Sequence, residues 1–452
     1  MRDGRYIEHF TVHIPHFTFR FTGVAPLASL TSLASYQSIV IVASLRFISV
    51  HSDCPVHPLT RLLPTALTTS LPPTHRALRQ DVYAQPPTVQ RVATPQPTPG
   101  SAVLKVLQAS IINYTKDIYN GVRKHPYPVP LTLGESALAR VVALGEDATT
   151  LKTGDLCLLD ITIRGRDDID RSAGATFLSA IVQGHTPASA KLMTDAWRDG
   201  TYAEYVRWPL ENCHVLDEDR LFNTLGYQMD DLMYLSRMMV PYGGLGPLCI
   251  DLKPGETVVV YPATGGFGSA AAHLCLELGA GRVICMGRNV EALEGLRRAA
   301  TVEKRARIET VPLSGTWQED LKALKSLGGN IDVFFDISPP TAGKELLKAG
   351  MLALRHGGRM CIMGGGDQDI PLPNGVFMHK NLILKGKWMY EPMDVKRLIG
   401  LVEMGIVKLH RKGDAVTPYG ANVVTKFKLD EWQKAFDEAE RLGSAGIVVF
   451  EP

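Results

Sequence analysis

Residues 258–289 read VVVYPATGGFGSAAAHLCLELGAGRVICMGRN, and this stretch decides the fold. Its first apolar run predicts a buried strand that ends at Tyr261. A tight turn follows, and a helix is predicted to begin near Phe267. The run RVICMG then predicts a second strand, so the stretch has the strand–helix–strand order of a parallel α/β unit.

The turn of this unit carries a glycine pattern, Ala263-x-Gly265-x-x-Gly268, one position short of the full GxGxxG fingerprint. Gly265 lets the backbone approach a pyrophosphate, and Gly268 lets helix and strand pack closely. The N–H groups at the start of the helix then bind the phosphate charge. The predicted cofactor-binding residues of this turn are Ala263, Thr264, Gly265, Gly266, Phe267 and Gly268.

The end of the second strand indicates which dinucleotide binds. An NAD enzyme would place an acidic residue there, against the ribose hydroxyls, whereas this chain has Gly287, Arg288 and Asn289. Arg288 can pair with a 2′-phosphate through charge-assisted hydrogen bonds. The sequence therefore favours NADP(H) over NAD(H); the alternative is that Arg288 is an ordinary surface arginine.

After about residue 225, apolar strands alternate with amphipathic helices, a pattern typical of a doubly wound parallel sheet. Ligands of such sheets lie at the carboxyl ends of the strands. Ser338 ends one later strand, and Gly364 and Gly365 end another, so these three residues are further predicted contacts of the cofactor.

The region from about 75 to 215 predicts a compact β domain, because short strands alternate with Gly- and Pro-containing turns. Residues 166–200 are predicted to be a long loop with little regular structure. The final strand, GIVVF, is expected to return to this domain. We therefore predict a substrate domain at 73–225, completed by about 415–452, and a dinucleotide-binding domain at 226–414.

Residues 1–72 differ from the rest of the chain, with no lysine, five arginines and three acidic residues. We predict an extension that is disordered or artefactual, a targeting segment such as a mitochondrial transit peptide, or a membrane anchor. The anchor would lie at 21–45, where there is no charge, although serine, threonine and glutamine dilute the hydrophobicity. None of these alternatives supplies a catalytic motif.

Bulk properties limit the class of protein. A chain of 452 residues with 45% hydrophobic and 21% charged residues is globular and long enough for two domains. Its net charge of +2 gives no electrostatic case for a nucleic acid partner. Seven scattered cysteines fit a reducing compartment, so a cytoplasmic protein without a membrane partner is expected.

From about residue 75 to its end, the chain resembles the medium-chain dehydrogenase/reductase superfamily, and most closely its zinc-free, quinone-oxidoreductase-like branch. The motifs that carry the resemblance are ATGGFG (263–268), DIS (336–338) and GGRMCIMGGG (357–366). It implies an α/β protein with a GroES-like β domain and a Rossmann doubly wound parallel-sheet domain. It also implies an oxidoreductase that acts on a small-molecule substrate as a homodimer.

The chain departs from the zinc-containing members at each ligand position. Where these members carry an early Cys-His pair, it has Asn113 and Tyr114 in ASIINYTKDIY. Their Gly-His-Glu is Gly134-Glu135-Ser136 here, and the MMVPYGGL stretch near their third ligand has no cysteine. One carboxylate does not make a catalytic zinc site, which needs about three protein ligands. We therefore expect no zinc.

The resemblance also suggests catalytic residues, because zinc-free members place an asparagine and nearby hydroxyl groups against the nicotinamide. Asn113 is the first candidate, since its amide can donate a hydrogen bond to an oxyanion. Tyr114 and Tyr119 are candidate proton donors, and Tyr127 and Tyr242 are candidate substrate contacts. The alternative for each tyrosine is a half-buried structural aromatic.

Three functions remain open on the sequence. The first is an NADPH-dependent, zinc-free reductase of an α,β-unsaturated carbonyl, a quinone or a ketone. The second is a metal-free alcohol dehydrogenase or ketone reductase. The third is a catalytically inactive NADPH-binding protein, which would bind the nucleotide without oxidising it.

Overall fold

The structure is a computed structural model that describes residues 7–14, 17–24, 71–366, 368–409 and 424–452. The chain divides into two compact units, Met1–Thr68 and Thr69–Pro452. In the first unit, β1 (Ile7–Ile14) and β2 (Phe17–Val24) form an antiparallel hairpin.

The proposed membrane anchor at 21–45 overlaps the described residues at the end of β2 alone, and 25–45 lie outside them. Within the residues that the structure describes, no helix has both the length and the apolar character needed to cross a bilayer. The transit-peptide and disorder alternatives for 1–72 likewise fall mainly on residues outside the description and stay predictions.

The β domain of the second unit is built mainly from strands. Its elements up to residue 224 are β3 (Thr74–Gln80), β4 (Thr88–Ala93), β5 (Ser101–Ile111), α1 (Thr115–Tyr119), β6 (Leu131–Thr132), β7 (Ala137–Leu144), β8 (Leu156–Leu159), β9 (Thr162–Arg164), β10 (Thr176–Leu178), α2 (Pro187–Asp195), β11 (Tyr205–Pro209), a 3₁₀ turn (Leu210–Asn212), β12 (Cys213–Val215) and a π-helical turn (Asp219–Thr224).

The nucleotide-binding part alternates strands and helices. Its elements are α3 (Met229–Leu232), α4 (Leu235–Leu245), β13 (Thr257–Tyr261), α5 (Gly266–Glu277), β14 (Arg282–Gly287), α6 (Val290–Arg298), α7 (Val302–Arg305), β15 (Ile308–Pro312), α8 (Trp317–Ser326), β16 (Ile331–Asp336), α9 (Glu345–Ala353), β17 (Leu354–Ile362), α10 (Asn374–His379), β18 (Ile383–Gly386) and α11 (Pro392–Glu403).

These strands form a parallel sheet in the order β15-β14-β13-β16-β17-β18 within the described residues. This is the strand order of a doubly wound dinucleotide fold, which confirms the predicted fold class. The order reverses between β13 and β16, so a crevice opens at their carboxyl ends. The sequence builds this sheet because its central strands are mostly apolar and mostly buried, as expected for strands covered on both faces.

The chain then returns to the β domain through β19 (Val424–Phe427), a 3₁₀ turn (Leu429–Glu431), α12 (Trp432–Leu442) and β20 (Ile447–Phe450). β20 pairs antiparallel with β5 and parallel with β19. Its IVVF sequence is buried at every position, which fixes the strand inside the larger sheet of this domain.

The prediction of a long loop with little regular structure at 166–200 missed two elements. β10 pairs with β9, and α2 occupies Pro187–Asp195. The start of α2 is set locally, because the Thr186 side chain accepts a hydrogen bond from the backbone N–H of Ser189 and proline occupies the first turn.

One buried apolar cluster joins the two domains. Leu138 and Leu158 of the β domain belong to the same cluster as Met238 of α4 and Val260 of β13. A shared core of this kind holds the domains in a fixed relation, so the crevice between them has a defined shape.

Candidate active site

A cavity of about 1180 Å³ lies between the β domain and the nucleotide-binding part. Tyr261 and Pro262 line it at the end of β13, and Ile337 lines it just after β16. The cavity therefore occupies the point where the strand order reverses, which is where doubly wound folds bind their ligands.

The glycine turn forms one wall of this cavity. Gly268 must be glycine, because a Cβ there would lie 1.8 Å from the carbonyl oxygen of Pro262. A Cβ on Gly265 would meet no atom within 4 Å, so a ligand can approach the backbone at that residue. No side chain caps the start of α5, which leaves its N–H groups available to an anion.

Arg288 and Asn289 line the cavity beyond the end of β14. Arg288 is exposed, whereas the Asn289 side chain caps α6 by accepting a hydrogen bond from Ala292 N at 3.0 Å. Among the cavity-lining residues of this strand end there is no carboxylate. A 2′-phosphate would thus meet a guanidinium that has no ion-pair partner among the described residues.

The loops after β16 and β17 meet at a buried lysine that sequence reasoning missed. Lys344 Nζ donates to the carbonyl oxygen of Gly365 at 2.7 Å and to Ser338 Oγ at 3.4 Å. Gly364 packs so tightly that a Cβ would lie 2.4 Å from Asp336 Oδ2. Burial raises the pKa of Asp336, and hydrogen bonds from Ser338 partly oppose this.

The structure brings most of the predicted cofactor residues to the cavity wall. The lining residues are Thr264, Gly265, Gly266, Phe267, Gly268, Arg288, Asn289, Ser338 and Gly365. Ala263, Gly287 and Gly364 lie behind this wall. Ala263 instead donates its backbone N–H to Met286 O at 2.7 Å, which ties β13 to β14.

On the β-domain side, Asn113 and Tyr114 are partly buried and also line the cavity. The Arg123 guanidinium carbon lies 3.6 Å from the centre of the Tyr114 ring, a cation–π contact that fixes the ring. Burial raises the pKa of Tyr114 to about 12, so the phenol holds its proton.

Three of the predicted tyrosines do not line the cavity. Tyr119 is buried, and its hydroxyl exchanges hydrogen bonds with the backbone of Gly134. Tyr127 is buried and donates to Gln80 Oε1 at 2.8 Å. Tyr242 is buried within α4. None of the three lines the cavity, and their hydroxyls or rings serve the packing of the domains.

Glu135 is the carboxylate that lines the cavity beside Asn113, and it is 3% exposed. It accepts hydrogen bonds from Thr115 Oγ1 at 2.5 Å and from Ile112 N at 3.1 Å. Burial raises the pKa of Glu135 to about 8, against the lowering effect of these hydrogen bonds. The group can thus hold a proton near neutral pH. In the sequence, Glu135 was noted only because it occupies a position where zinc-containing members carry a ligand.

Arg237 of α4 lies beside the start of α5 and was also missed. It is 5% exposed, and its charge acts on Glu135, whose pKa it lowers. Its neighbour Ser236 lines the cavity. The signal in the sequence was a lone arginine inside the otherwise apolar run of α4.

The residues at the positions of the family's zinc ligands do not fit a metal ion. Asn113 and Tyr114 offer an amide and a protonated phenol, and both Glu135 oxygens already accept hydrogen bonds. The Arg237 cation also disfavours a second positive charge nearby. Across the described residues, no three His, Cys, Asp or Glu side chains form a group that could hold a metal.

Two family models match the chain. The model described as an alcohol dehydrogenase GroES-like domain matches residues 98–218. The model described as a zinc-binding dehydrogenase matches residues 266–404. The first match spans β5 to β12 of the β domain, and the second spans α5 to α11 of the nucleotide-binding part.

Similar proteins cover about four fifths of the chain. The L-threonine 3-dehydrogenase of Shewanella woodyi is 27% identical over 373 residues, which cover 79% of this chain and 94% of that protein. An alcohol dehydrogenase of E. coli CFT073, solved with NADH, has a TM-score of 0.65 at 14% identity and covers 84% of this chain and 100% of its own. A Sinorhizobium meliloti 1021 protein solved with NADP has a TM-score of 0.62 at 19% identity, covering 84% and 99%.

Proposed function

The chain belongs to the medium-chain dehydrogenase/reductase superfamily of oxidoreductases, and from this premise we propose that it is a zinc-free, NADPH-dependent reductase. Its substrate would be an α,β-unsaturated carbonyl, a quinone or a ketone. One observation carries the proposal. The glycine turn, Arg288, Asn113 and Glu135 all line the same cavity.

NADPH, when bound, supplies the hydride. The chain would hold its phosphates at the glycine turn and Arg288, and its nicotinamide half against the loops that end in Ser338 and Gly365. The cavity is large enough for such a ligand. Because Gly265 has no Cβ, the ligand can approach its backbone closely. Apolar side chains, among them Leu178 and Ile181, exclude water at the substrate end.

Without a metal, protein groups must stabilise the charge that develops on the substrate oxygen. We assign this to Asn113, whose amide faces the cavity and can donate a hydrogen bond. Glu135 would supply the proton, because its carboxyl lines the same wall and its pKa of about 8 keeps it protonated at neutral pH. Tyr114, with a higher pKa, would donate a hydrogen bond rather than a proton.

A second function is oxidation of a secondary alcohol in the reverse direction. The L-threonine 3-dehydrogenase relative favours it, since that protein's name describes oxidation at a hydroxyl-bearing carbon. In this direction Glu135 would accept the proton, and the enzyme would work best above its pKa. The quinone-oxidoreductase-like branch and the homodimer stay predictions.

Turnover of the full chain tests the proposed function. We expect NADPH consumption with 2-cyclohexenone, a benzoquinone or a small ketone, and product analysis identifies the bond that is reduced. Dialysis against EDTA should leave the rate unchanged, since no residue of the cavity is proposed to hold a metal. A rate that is lost on dialysis and restored by Zn²⁺ would refute the zinc-free mechanism. Tight NADPH binding without turnover of any acceptor, in either direction, would favour the inactive nucleotide-binding protein.

Coenzyme preference depends on Arg288 in this proposal. Replacing Arg288 by alanine should weaken NADPH binding by about tenfold and leave NADH binding unchanged, because one charge-assisted contact to the 2′-phosphate is lost. Fluorescence titration with both nucleotides measures the ratio. Arg298→Ala, at the exposed end of α6 and outside the cavity, is the matched control. Equal binding of NADPH by wild type and Arg288→Ala would contradict the assignment.

A further inference from the structure

Arg237 is a buried cation that the protein itself does not neutralise. Its side chain is 5% exposed, and its Nη1 is buried without a hydrogen-bond partner among the described residues. Within the same part of the chain it forms no ion pair. A buried guanidinium without a partner costs several kcal/mol, so its presence in a folded protein calls for a physical reason.

The guanidinium lies against the start of α5. The position that a Cβ would occupy on Gly266 is 3.7 Å from Arg237 Nη1 and 3.9 Å from its Cζ. Gly266 is the first residue of this 12-residue helix and lines the cavity. The uncapped N–H groups of α5 and the Arg237 cation therefore favour an anion in the same place.

Neighbouring groups of the protein do not supply that anion. Among the described residues Glu135 forms no ion pair with Arg237, and burial raises the pKa of the Glu135 carboxyl to about 8, so that it carries no charge at neutral pH. Tyr234, which also acts on Arg237, is a buried phenol whose pKa burial raises. A bound anion would supply the negative charge that these groups lack.

We propose that Arg237, together with the N-terminus of α5, binds the diphosphate of the dinucleotide cofactor. This assignment rests on the proposed function, because it requires that the cavity takes up NADPH. The assignment adds a side-chain cation to the diphosphate subsite, where the glycine turn by itself offers only backbone N–H groups. Arg237 does not line the cavity itself, so its cation would act on the diphosphate from behind Gly266, while Arg288, which lines the cavity, would contact the 2′-phosphate.

Two ligand fragments separate these roles. Calorimetric titration of the full chain would use 2′-phospho-ADP-ribose, which contains the diphosphate, and adenosine 2′-monophosphate, which lacks it. Arg237→Met should weaken binding of the first by between about 10- and 100-fold and of the second by less than about twofold, as expected for one lost charge-assisted contact. Arg237→Lys should recover part of the loss, and Arg288→Ala should weaken both ligands.

Thermal melting without ligand distinguishes lost binding from lost structure. Arg237→Met should melt at the wild-type temperature or above it, since an unpaired buried charge is removed. If Arg237→Met weakened the binding of both fragments equally, or bound 2′-phospho-ADP-ribose as tightly as wild type, the role of Arg237 would be overturned and the proposed cofactor would not. A folded wild-type protein that binds neither fragment nor NADPH would overturn the proposed cofactor as well.

Discussion

Replacing Glu135 by glutamine is expected to lower kcat for reduction by about 10²- to 10⁴-fold, the usual contribution of a positioned general acid. Glutamine keeps the size of the side chain and its acceptor for Thr115, but carries no transferable proton. In the wild type, kcat should fall as pH rises through about 8, because the carboxyl loses its proton there. The variant should lack this pH dependence. Steady-state rates with saturating NADPH across the pH range measure both effects.

The pH dependence of folding stability tests the protonation of Glu135 independently of its role in catalysis. The folded protein raises the pKa of Glu135 above its ordinary value of 4.5, so between that value and about 8 it binds more protons than the unfolded chain. The stability contributed by this group is therefore present at low pH and lost as pH rises through about 8. Glu135→Gln should remove this slope, whereas Glu146→Gln, on an exposed turn, should not. A Glu135→Gln enzyme with the wild-type rate and pH profile would exclude Glu135 as the acid.

Gly268→Ala is expected to weaken NADPH binding by more than about 100-fold and to destabilise the fold by about 3 kcal/mol. The new methyl group would lie 1.8 Å from Pro262 O and 3.1 Å from Ala263 Cα, which are backbone atoms that cannot move independently of the turn. Either α5 moves away from β13 or the turn is displaced, and both misplace the N–H groups that face the cavity. Thermal melting and NADPH titration measure the two effects separately.

Two other glycines serve as controls for this steric argument. At Gly400 in α11, a Cβ would meet no atom within 4 Å, so Gly400→Ala should retain NADPH binding and gain up to about 1 kcal/mol from helix propensity. At Gly265 a Cβ also meets no protein atom but projects beside the cavity. Gly265→Ala should therefore fold normally and bind NADPH less tightly. A Gly268→Ala protein that melts and binds like wild type would refute the packing argument.

The fold was predictable because its signals are local. The apolar run of β13 and the glycine turn predicted a helix near Phe267, and α5 begins at Gly266. The order of strands and helices then left a doubly wound sheet as the consistent topology. The helix at Pro187–Asp195 was missed because its polar sequence has little periodicity, and a capped first turn defines it instead.

The candidate site was less predictable, because burial depends on which distant segments meet. Tyr114 and Tyr119 lie five positions apart on one short segment, yet the first lines the cavity and the second bonds to Gly134 in the interior. Glu135 gains its raised pKa from burial beside Thr115, a neighbour created by folding. Arg237 gave no periodic signal, since one arginine in an apolar helix is usually assigned to the surface.

During synthesis, β20 can pair with β5 only after the whole nucleotide-binding part has been made. The ribosome makes β5 and β11 before the nucleotide-binding part and makes β20 after it, so the Ala109–Ile111 end of β5 emerges without the strand that will pair with it. Domains generally fold as units during translation, and the doubly wound sheet can complete its own strand pairing while the β domain still has an open edge. Unpaired edges invite pairing with other chains. A nascent chain stalled between residues 410 and 446 would therefore expose an aggregation-prone strand edge that the finished protein conceals.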